Sequence, residues 1–135
     1  MIQLISRLRV QPDRRDAFRA WCTRLTALAG RESGTLSYNC YLDAVTEQCV
    51  FVEMYRDADS LDAHLHAIAA ESAVGHDYYE VEHLDVCGDF STAQREIFAS
   101  LDGRDGRTGK VVFYHSHAAK PPPFASLNEG SGISI

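Results

Sequence analysis

Two short stretches of alternating residues, separated only by positions 43–47, constrain the fold of this chain more than any other feature. Residues 35–42 read TLSYNCYL and residues 48–55 read QCVFVEMY. Alternation with a period of two is typical of β-strands, and so short a connection joins antiparallel neighbours. We therefore predict a β-hairpin in which Asp43 faces Glu47 across the turn.

Matching elements flank this hairpin on both sides. The alternation of residues 2–10 and of residues 80–87 predicts two more strands. Apolar residues at helical spacing predict one helix before the hairpin and one after it. The two stripes comprise Phe18, Trp21, Cys22, Leu25, Leu28 and Ala29, and then Leu61, His64, Leu65 and Ile68. The order βαββαβ predicts an α+β, ferredoxin-like fold with an antiparallel sheet and both helices on one face.

The rest of the chain divides into a short extension and a tail. Ser91 and Gln94 have the spacing of a capping box, which predicts a short helix, and residues 110–114 are a candidate fifth strand. From His115 the sequence is rich in Pro, Gly and Ser, a composition that favours an extended or disordered segment. The expected organisation is one domain, one extension and one tail: residues 1–90, 91–114 and 115–135.

Charge and hydropathy limit the possible partners. The net charge is -6, which argues against a nucleic-acid or anionic-membrane partner because both attract basic surfaces. No apolar run approaches the about 20 residues of a membrane span. The alternating N-terminal segment with Arg7 and Arg9 is unlike a secretory signal. We expect a cytoplasmic protein that binds neither nucleic acid nor membrane.

Cysteine and histidine spacing predicts no metal site. The four cysteines are Cys22, Cys40, Cys49 and Cys87. None belongs to a C-x-x-C pair, so buried thiols in a reducing compartment fit better than zinc ligands. His115 and His117 lie in the tail without an acidic neighbour, which is a poor ligand set.

The two faces of the predicted hairpin differ in polarity. In the expected register, Tyr41 lies opposite Cys49 and Asn39 lies opposite Phe51. The even-numbered face is then free of charge, with Leu36, Tyr38, Cys40, Leu42, Val50, Val52 and Met54. The odd-numbered face mixes polar and aromatic side chains, with Thr35, Ser37, Asn39, Tyr41, Cys49, Phe51, Glu53 and Tyr55.

Two helices cover only one side of such a sheet. At about 25 cal/mol per Å² of apolar area, a wet second side would forfeit several kcal/mol, and large apolar patches usually mark interfaces. We therefore expect a homodimer through the sheet face. The alternative is that the C-terminal helix and strand fold over that face.

Three segments resemble the antibiotic biosynthesis monooxygenase family: GTLSYNCYLD, VFVEMY and DADSLDAHL. The resemblance extends over about residues 1–90 and implies a dimeric α+β barrel similar to quinol monooxygenases. It also implies a pocket between the sheet and the helices of each subunit. The family's usual Glu-x-Trp aromatic falls on Tyr55, which places the odd-numbered face in the pocket and the even-numbered face in the dimer. Haem-degrading members carry an asparagine where this chain has Ser6, so the resemblance disfavours haem degradation.

His64 and Glu53 are the leading candidates for proton transfer. A histidine within an apolar stripe has an ordinary pKa suited to a general base at neutral pH; the alternative is a core histidine with one hydrogen bond. A carboxylate beneath a helix needs a partner. Glu53 is expected to orient His64, or alternatively to pair structurally with Arg7, Arg9 or a side chain of a partner subunit.

The remaining candidates would bind the substrate. Asn39 is a candidate donor to a developing oxyanion. Stacking walls are expected from Trp21, Tyr41, Phe51 and Tyr55, since small-molecule pockets are mostly apolar with few polar groups. The alternative for each aromatic residue is an ordinary place in the core.

The resemblance and this pocket pattern together predict a cofactor-independent monooxygenase acting on a small phenolic, quinol or polyketide-like aromatic with O₂. No flavin, haem or nicotinamide motif is present in the sequence, so no cofactor is expected and the substrate would be the reductant. Two alternatives are an isomerase or cyclase of a small carbonyl compound, and a non-catalytic dimer that binds a small ligand.

Overall fold

The computed structural model describes residues 1–103, 108–118 and 120, which form one sheet with helices on one side. The elements in chain order are β1 (Ile2–Val10), a 3-10 turn (Pro12–Arg14), α1 (Arg15–Ala29), β2 (Thr35–Leu42), β3 (Gln48–Tyr55), α2 (Ala58–Gly75), β4 (Tyr79–Gly88), α3 (Thr92–Ala99) and β5 (Thr108–Tyr114). The predicted βαββαβ order is confirmed. The predicted tail falls largely on residues outside the described ones.

The sheet has five strands in the order β2-β3-β1-β4-β5. The first four are antiparallel, as predicted for a ferredoxin-like fold. β5 instead runs parallel to β4, with Leu84 beside Val111 and Val86 beside Phe113. A parallel neighbour needs a crossover connection, and α3 lies in the segment that provides it. The α+β class is confirmed, with a mixed rather than purely antiparallel sheet.

Both long helices pack on the same sheet face, which we call the inner face. β1 supplies buried residues to it at every second position except Ser6, and the α1 stripe covers them with Phe18, Trp21 and Leu25. The second half of the core gathers around Tyr55, Leu61 and Phe98. This packing closes the inner face, and among the described helices none covers the opposite, outer face of the sheet.

The short helix α3 also lies on the inner side. Its Phe98 belongs to the core, and Gln94 is fully buried. The Nε2 atom of Gln94 donates to the carbonyl of Ala58 at 2.7 Å and to Asp62 at 2.8 Å, which fastens α3 to α2. The alternative in which the C-terminal helix covers the outer face is therefore wrong.

The predicted hairpin register is wrong by one residue. Tyr38 lies opposite Glu53 and Cys40 opposite Phe51. The turn explains the shift, because the amide of Asp43 donates to the carbonyl of Gln48 at 2.9 Å. Asp43 therefore faces Gln48 and not Glu47, whose φ of 62° places it in the left-handed region within the turn.

This register exchanges the two faces of β2 relative to β3. Tyr38 and Cys40 join Phe51 and Glu53 on the inner face, while Asn39 and Tyr41 join Val50 and Val52 on the outer face. Thr35 still lies opposite Tyr55, as predicted, because the register shifts between Thr35 and Ser37. A slip of one position has this effect because successive strand residues point to opposite faces. The predicted faces of β3 are unaffected, because its odd-numbered residues still point to the helices.

The outer face presents partly buried apolar side chains that no helix of the described residues covers. Ile5, Val50, Val52 and Met54 occupy it on β1 and β3, and all of them retain some exposure. Within the described part of the chain, no helix is long and apolar enough to cross a membrane.

Candidate active site

A cavity of about 190 Å³ lies between the inner face of the sheet and the helices. Its wall is mainly apolar and aromatic. The polar groups on it are few: Ser6, Tyr38, Glu53, His64, Ser72 and Tyr79. A pocket of this composition is typical of small-molecule sites.

A second, larger cavity of about 240 Å³ lies at the hairpin turn, between Phe18, Leu42 and the Arg15–Glu47 ion pair. Its charged groups neutralise one another at the surface. The inner cavity is the better candidate for chemistry, because buried titratable groups with shifted pKa values mark functional sites.

His64 reaches the inner cavity from the first half of α2. The side chain of Asp57 caps this helix by accepting from the amide of Ser60 at 2.8 Å, which sets where the helix begins. From that start, His64 falls on the buried side of the helix and is only 1% exposed. The prediction that the His64 side chain faces the sheet is confirmed.

The two ring nitrogens of His64 have different surroundings. Nδ1 lies 2.8 Å from Oε2 and 3.1 Å from Oε1 of Glu32. Because an ionised carboxylate can only accept, Nδ1 carries the proton. Nε2 is buried and has no hydrogen-bond partner among the described residues. Burial lowers the pKa of His64, against the opposing effect of Glu32, so Nε2 is an unprotonated acceptor at neutral pH.

Glu32 orients His64, and Glu53 does not. Glu32 lies between α1 and β2, and its carboxylate also accepts from the hydroxyl of Thr35 at 2.6 Å. The predicted pairing of His64 with Glu53 is therefore wrong. No periodic pattern marks Glu32 in the sequence, because it lies between elements and reaches His64 only when α1 and α2 pack side by side.

Glu53 forms its own pair on the sheet side of the cavity. The hydroxyl of Tyr55 donates to Oε2 of Glu53 at 2.6 Å. Desolvation raises the pKa of Glu53 to about 7, and the bond from Tyr55 only partly offsets this. Arg9, one of the predicted alternative partners, instead pairs with Glu80 at the surface.

Trp21 and Phe51 form cavity walls, as the sequence predicts. The indole Nε1 of Trp21 donates to the carbonyl of Glu71 at 2.8 Å, and its ring contacts Phe51 at 6.2 Å between centroids. The indole lies against Gly75, where a side chain would collide with it. A fixed aromatic wall results, with its only polar atom already satisfied.

Three other predicted site residues lie elsewhere. Asn39 is exposed and Tyr41 is 60% exposed, since the register places both on the outer face. Tyr55 is fully buried behind the cavity wall, where it contacts Glu53 and the ring of His64 at 5.1 Å. Asn39 therefore has no position from which to stabilise an oxyanion in this cavity.

Tyr38 takes the place that the sequence assigned to Asn39 and Tyr41. Its ring lies 5.6 Å from Phe51 and 5.2 Å from His64, measured between centroids. Burial raises the pKa of Tyr38, so its hydroxyl stays protonated and can donate. If the hairpin had been predicted with Asp43 opposite Gln48, the sequence would have placed Tyr38 on the cavity side of the sheet. Tyr79 completes the aromatic wall, 5.2 Å from Trp21.

The described residues contain no group of three or more histidine, cysteine, aspartate or glutamate side chains that could hold a metal ion. Two of the polar groups on the cavity wall have partners that are not part of the wall: His64 pairs with Glu32, and Glu53 pairs with Tyr55. This arrangement can move protons at two points of one apolar cavity.

Several solved structures share the fold. MupZ from Pseudomonas fluorescens matches with a TM-score of 0.70 at 18% identity, covering 91% of this chain and 95% of MupZ. Rv0793 from Mycobacterium tuberculosis matches with a TM-score of 0.59 at 26% identity, over 68% of this chain and 97% of its own. A protein from Nitrosomonas europaea named as an antibiotic biosynthesis monooxygenase matches with a TM-score of 0.56 at 19% identity, over 64% and 93%.

The sequence itself identifies the family. No curated protein matches significantly. The family model described as antibiotic biosynthesis monooxygenase matches residues 1–75, which is more than half of the chain. The ferredoxin-like topology and the cavity under its helices agree with that match. The chain therefore belongs to the antibiotic biosynthesis monooxygenase family.

Proposed function

We propose that this protein is a cofactor-independent monooxygenase that oxidises a small phenol or quinol with O₂, with His64 as the general base. The observation that carries the proposal is the buried Nε2 of His64, which has no partner among the described residues although Nδ1 is held by Glu32. A buried polar atom without a partner is costly. A substrate hydroxyl in the adjoining cavity would satisfy it.

In the proposed reaction, Nε2 takes the proton from a ring hydroxyl of the substrate. Glu32 stabilises the imidazolium that forms, as a carboxylate does in other histidine-based sites. The phenolate then reduces O₂ and forms a ring hydroperoxide. Its O–O bond breaks as the ring C–H proton leaves, which yields a quinone carbonyl and one water. The ring supplies the electrons, so the overall reaction balances without a cofactor.

Glu53 is proposed as the acid of the same reaction. With a pKa of about 7, it is partly protonated at neutral pH and can deliver a proton to the departing peroxide oxygen. A catalytic acid is most effective when its pKa lies near the working pH. The Tyr55 hydroxyl would hold the carboxyl group in place throughout.

The size and lining of the cavity favour small rings within the predicted substrate range. The volume of about 190 Å³ compares with the cavity of about 150 Å³ that accommodates benzene in an engineered protein. Trp21, Tyr38 and Phe51 offer flat surfaces for stacking. One-ring and compact two-ring phenols are therefore favoured over polycyclic polyketides.

An isomerase or cyclase of a small carbonyl compound is the second candidate. It is favoured by the same two proton-transfer groups on one cavity, which suit enolisation equally well. O₂ dependence separates the two functions. We expect hydroxylated benzenes and naphthalenes to be consumed with stoichiometric uptake of O₂. Turnover that continues unchanged under argon would instead establish the isomerase or cyclase.

We also propose that the protein is a homodimer joined through the outer face. The apolar side chains of Ile5, Val52 and Met54 lie there, and no helix in the described part of the chain covers them, since α3 packs on the inner side. A partner sheet against this face would bury them. The family resemblance implies the same arrangement.

A further inference from the structure

Three cysteines from three different elements meet beside α1. Cys22 lies on α1, Cys40 on β2 and Cys49 on β3. The sulfur of Cys40 lies 3.4 Å from that of Cys22 and 3.4 Å from that of Cys49. The observed hairpin register creates this cluster, because it brings Cys40 to the inner face. All three are free thiols, as is Cys87 elsewhere in the sheet.

Cys40 is the reactive member by position. It lies between the other two sulfurs: as a thiol it donates to Cys22, and either sulfur can donate in its contact with Cys49. Once Cys40 loses its proton, both neighbouring thiols can donate to its thiolate. Donation from Cys22, and then from Cys49, lowers the pKa of Cys40, while the pKa values of Cys22 and Cys49 are raised. The thiolate is the form of cysteine that reacts with oxidants. A thiolate in this cluster is therefore favoured on Cys40, the sulfur with two thiol neighbours.

Access from solvent favours Cys40 and Cys22 over Cys49. Cys40 and Cys22 line a shallow surface cleft together with Arg19 and Thr26. Cys49 is 0% exposed. A small oxidant can therefore reach the Cys40 sulfur without entering the inner cavity.

Sheet geometry decides which pair can form a disulfide. Cys40 pairs with Phe51, and Cys49 pairs with Leu42, so Cys40 and Cys49 are diagonal neighbours on adjacent strands. Diagonal neighbours are about 7–8 Å apart, which exceeds the range that a disulfide bridges without backbone movement. Cys22 lies on the helix above, its sulfur is 3.4 Å from that of Cys40, and both residues line the same surface cleft, which Cys49 does not, so Cys22 is the partner that an oxidised Cys40 can use.

We propose that Cys40 is a peroxide-sensing thiolate and that Cys22 resolves it, forming a reversible disulfide between α1 and β2. The Cys40 thiolate attacks one oxygen of hydrogen peroxide, the O–O bond breaks and hydroxide leaves, so Cys40 becomes a sulfenic acid. The Cys22 sulfur then attacks the Cys40 sulfur, and the S–O bond breaks. The departing oxygen takes up the Cys22 proton. Two thiols are oxidised to one disulfide as peroxide is reduced to two waters.

This modification would act next to the cavity without using its residues. Cys22 follows Trp21 on α1, and Trp21 is a cavity wall. A covalent link would fix this part of α1 against β2, the strand that carries Tyr38. The proposal is independent of the oxygenase reaction, because it needs only the three thiols and an external hydroperoxide.

The decisive experiment uses the full-length protein, hydrogen peroxide, thiol alkylation and peptide mass spectrometry. We expect a Cys22–Cys40 linked peptide that disappears after dithiothreitol, with Cys87 still alkylated as a free thiol. In Cys22→Ala, dimedone should label Cys40 roughly tenfold more than in the unmodified chain, because the sulfenic acid is no longer resolved. Cys87→Ala is the matched control and should behave as the unmodified chain does.

Three outcomes would overturn the proposal: a Cys40–Cys49 bridge, oxidation of Cys87 as fast as that of Cys40, or no sulfenic acid in Cys22→Ala. A measurement without variants guards against poor folding of the mutants. In the unmodified protein, iodoacetamide should alkylate Cys40 well before Cys87 at mildly acidic pH, because only a thiol of lowered pKa is a thiolate there. Equal rates would also refute the proposal.

Discussion

The Nδ1 atom of His64 lies 2.8 Å from the Glu32 carboxylate, and this contact joins α2 to the segment between α1 and β2. Thr35 donates to the same carboxylate at 2.6 Å. These contacts hold the ring in one tautomer. Its Nε2 atom is buried and has no hydrogen-bond partner among the described residues. The reactivity proposed for His64 depends on this orientation.

Removing the imidazole should abolish most activity. We expect His64→Ala to lower kcat with an accepted quinol by roughly 10²- to 10⁴-fold, the range that general-base catalysis contributes. The measurement is O₂ uptake. His66→Ala is the matched control, because His66 is exposed on the same helix, and its rate should be unchanged. A His64→Ala protein as fast as the control would rule out His64 as the base.

Neutralising Glu32 should weaken the base without removing it. We expect Glu32→Gln to reduce kcat by roughly 10- to 100-fold, the effect of losing one hydrogen bond to a charged group. Because Glu32 raises the pKa of His64, the acid limb of the kcat/KM profile should also move to lower pH.

The pH profile distinguishes orientation of the base from general damage to the fold. A merely structural role for Glu32 would lower the rate at every pH and leave the acid limb in place. Glu82→Gln is a suitable control, since Glu82 pairs with Arg9 at the surface.

Glu53 should make stability depend on pH. Its pKa is raised from 4.5 to about 7 in the folded protein, so its contribution to stability is fully present below the unfolded pKa and is lost as pH rises through about 7. Glu53→Gln removes this dependence. Relative to the unmodified chain, the variant should gain about 3 kcal/mol in free energy of unfolding between about pH 4 and pH 8.

Urea denaturation at the two pH values measures this difference. The matched control is Glu96→Gln on the exposed part of α3, which should shift stability equally at both pH values. A Glu53→Gln protein that follows the control would mean that the carboxyl group is ionised in the folded state.

A charge on the outer face should separate the proposed dimer. We expect Val52→Lys to yield monomers, because the ammonium group would be buried between two sheets without a partner. Size-exclusion chromatography with light scattering gives the mass directly. Val45→Lys changes an exposed turn residue and should remain dimeric. A dimeric Val52→Lys protein would place the interface elsewhere.

The buried amide of Gln94 should matter for stability. Gln94→Ala removes two hydrogen bonds to α2 and half of the capping box, at a cost of about 1–3 kcal/mol per polar group left unpaired. Gln48→Ala changes an exposed glutamine and should stay within about 0.5 kcal/mol of the unmodified chain. Both values come from urea denaturation, and equal values would show that α3 is docked without Gln94.

Patterned positions were predictable from the sequence. His64 was placed on the buried side of α2 because helical spacing assigns a face to each residue. Phe51 and Glu53 were placed on the inner side of β3 by the family resemblance and the period of two. Trp21 followed from the middle of the α1 stripe. In each case one element alone carries the information.

Relations between elements were not predictable in the same way. Asn39 and Tyr41 were misplaced because the turn at Asp43 and Glu47 admits two registers, which differ by a few backbone hydrogen bonds and exchange the faces of β2. Glu32 was missed because nothing local marks a residue between a helix and a strand.

The sequence by itself determined the order of the elements, the buried face of each helix and the family. Only the tertiary structure decided that Tyr38 replaces Asn39 at the cavity, that Glu32 holds His64, and that Cys22, Cys40 and Cys49 meet. The physical reason is that the periodicity of apolar residues determines which face of a single helix or strand is buried. Contacts between separate elements depend on register and packing, which are set by the whole fold.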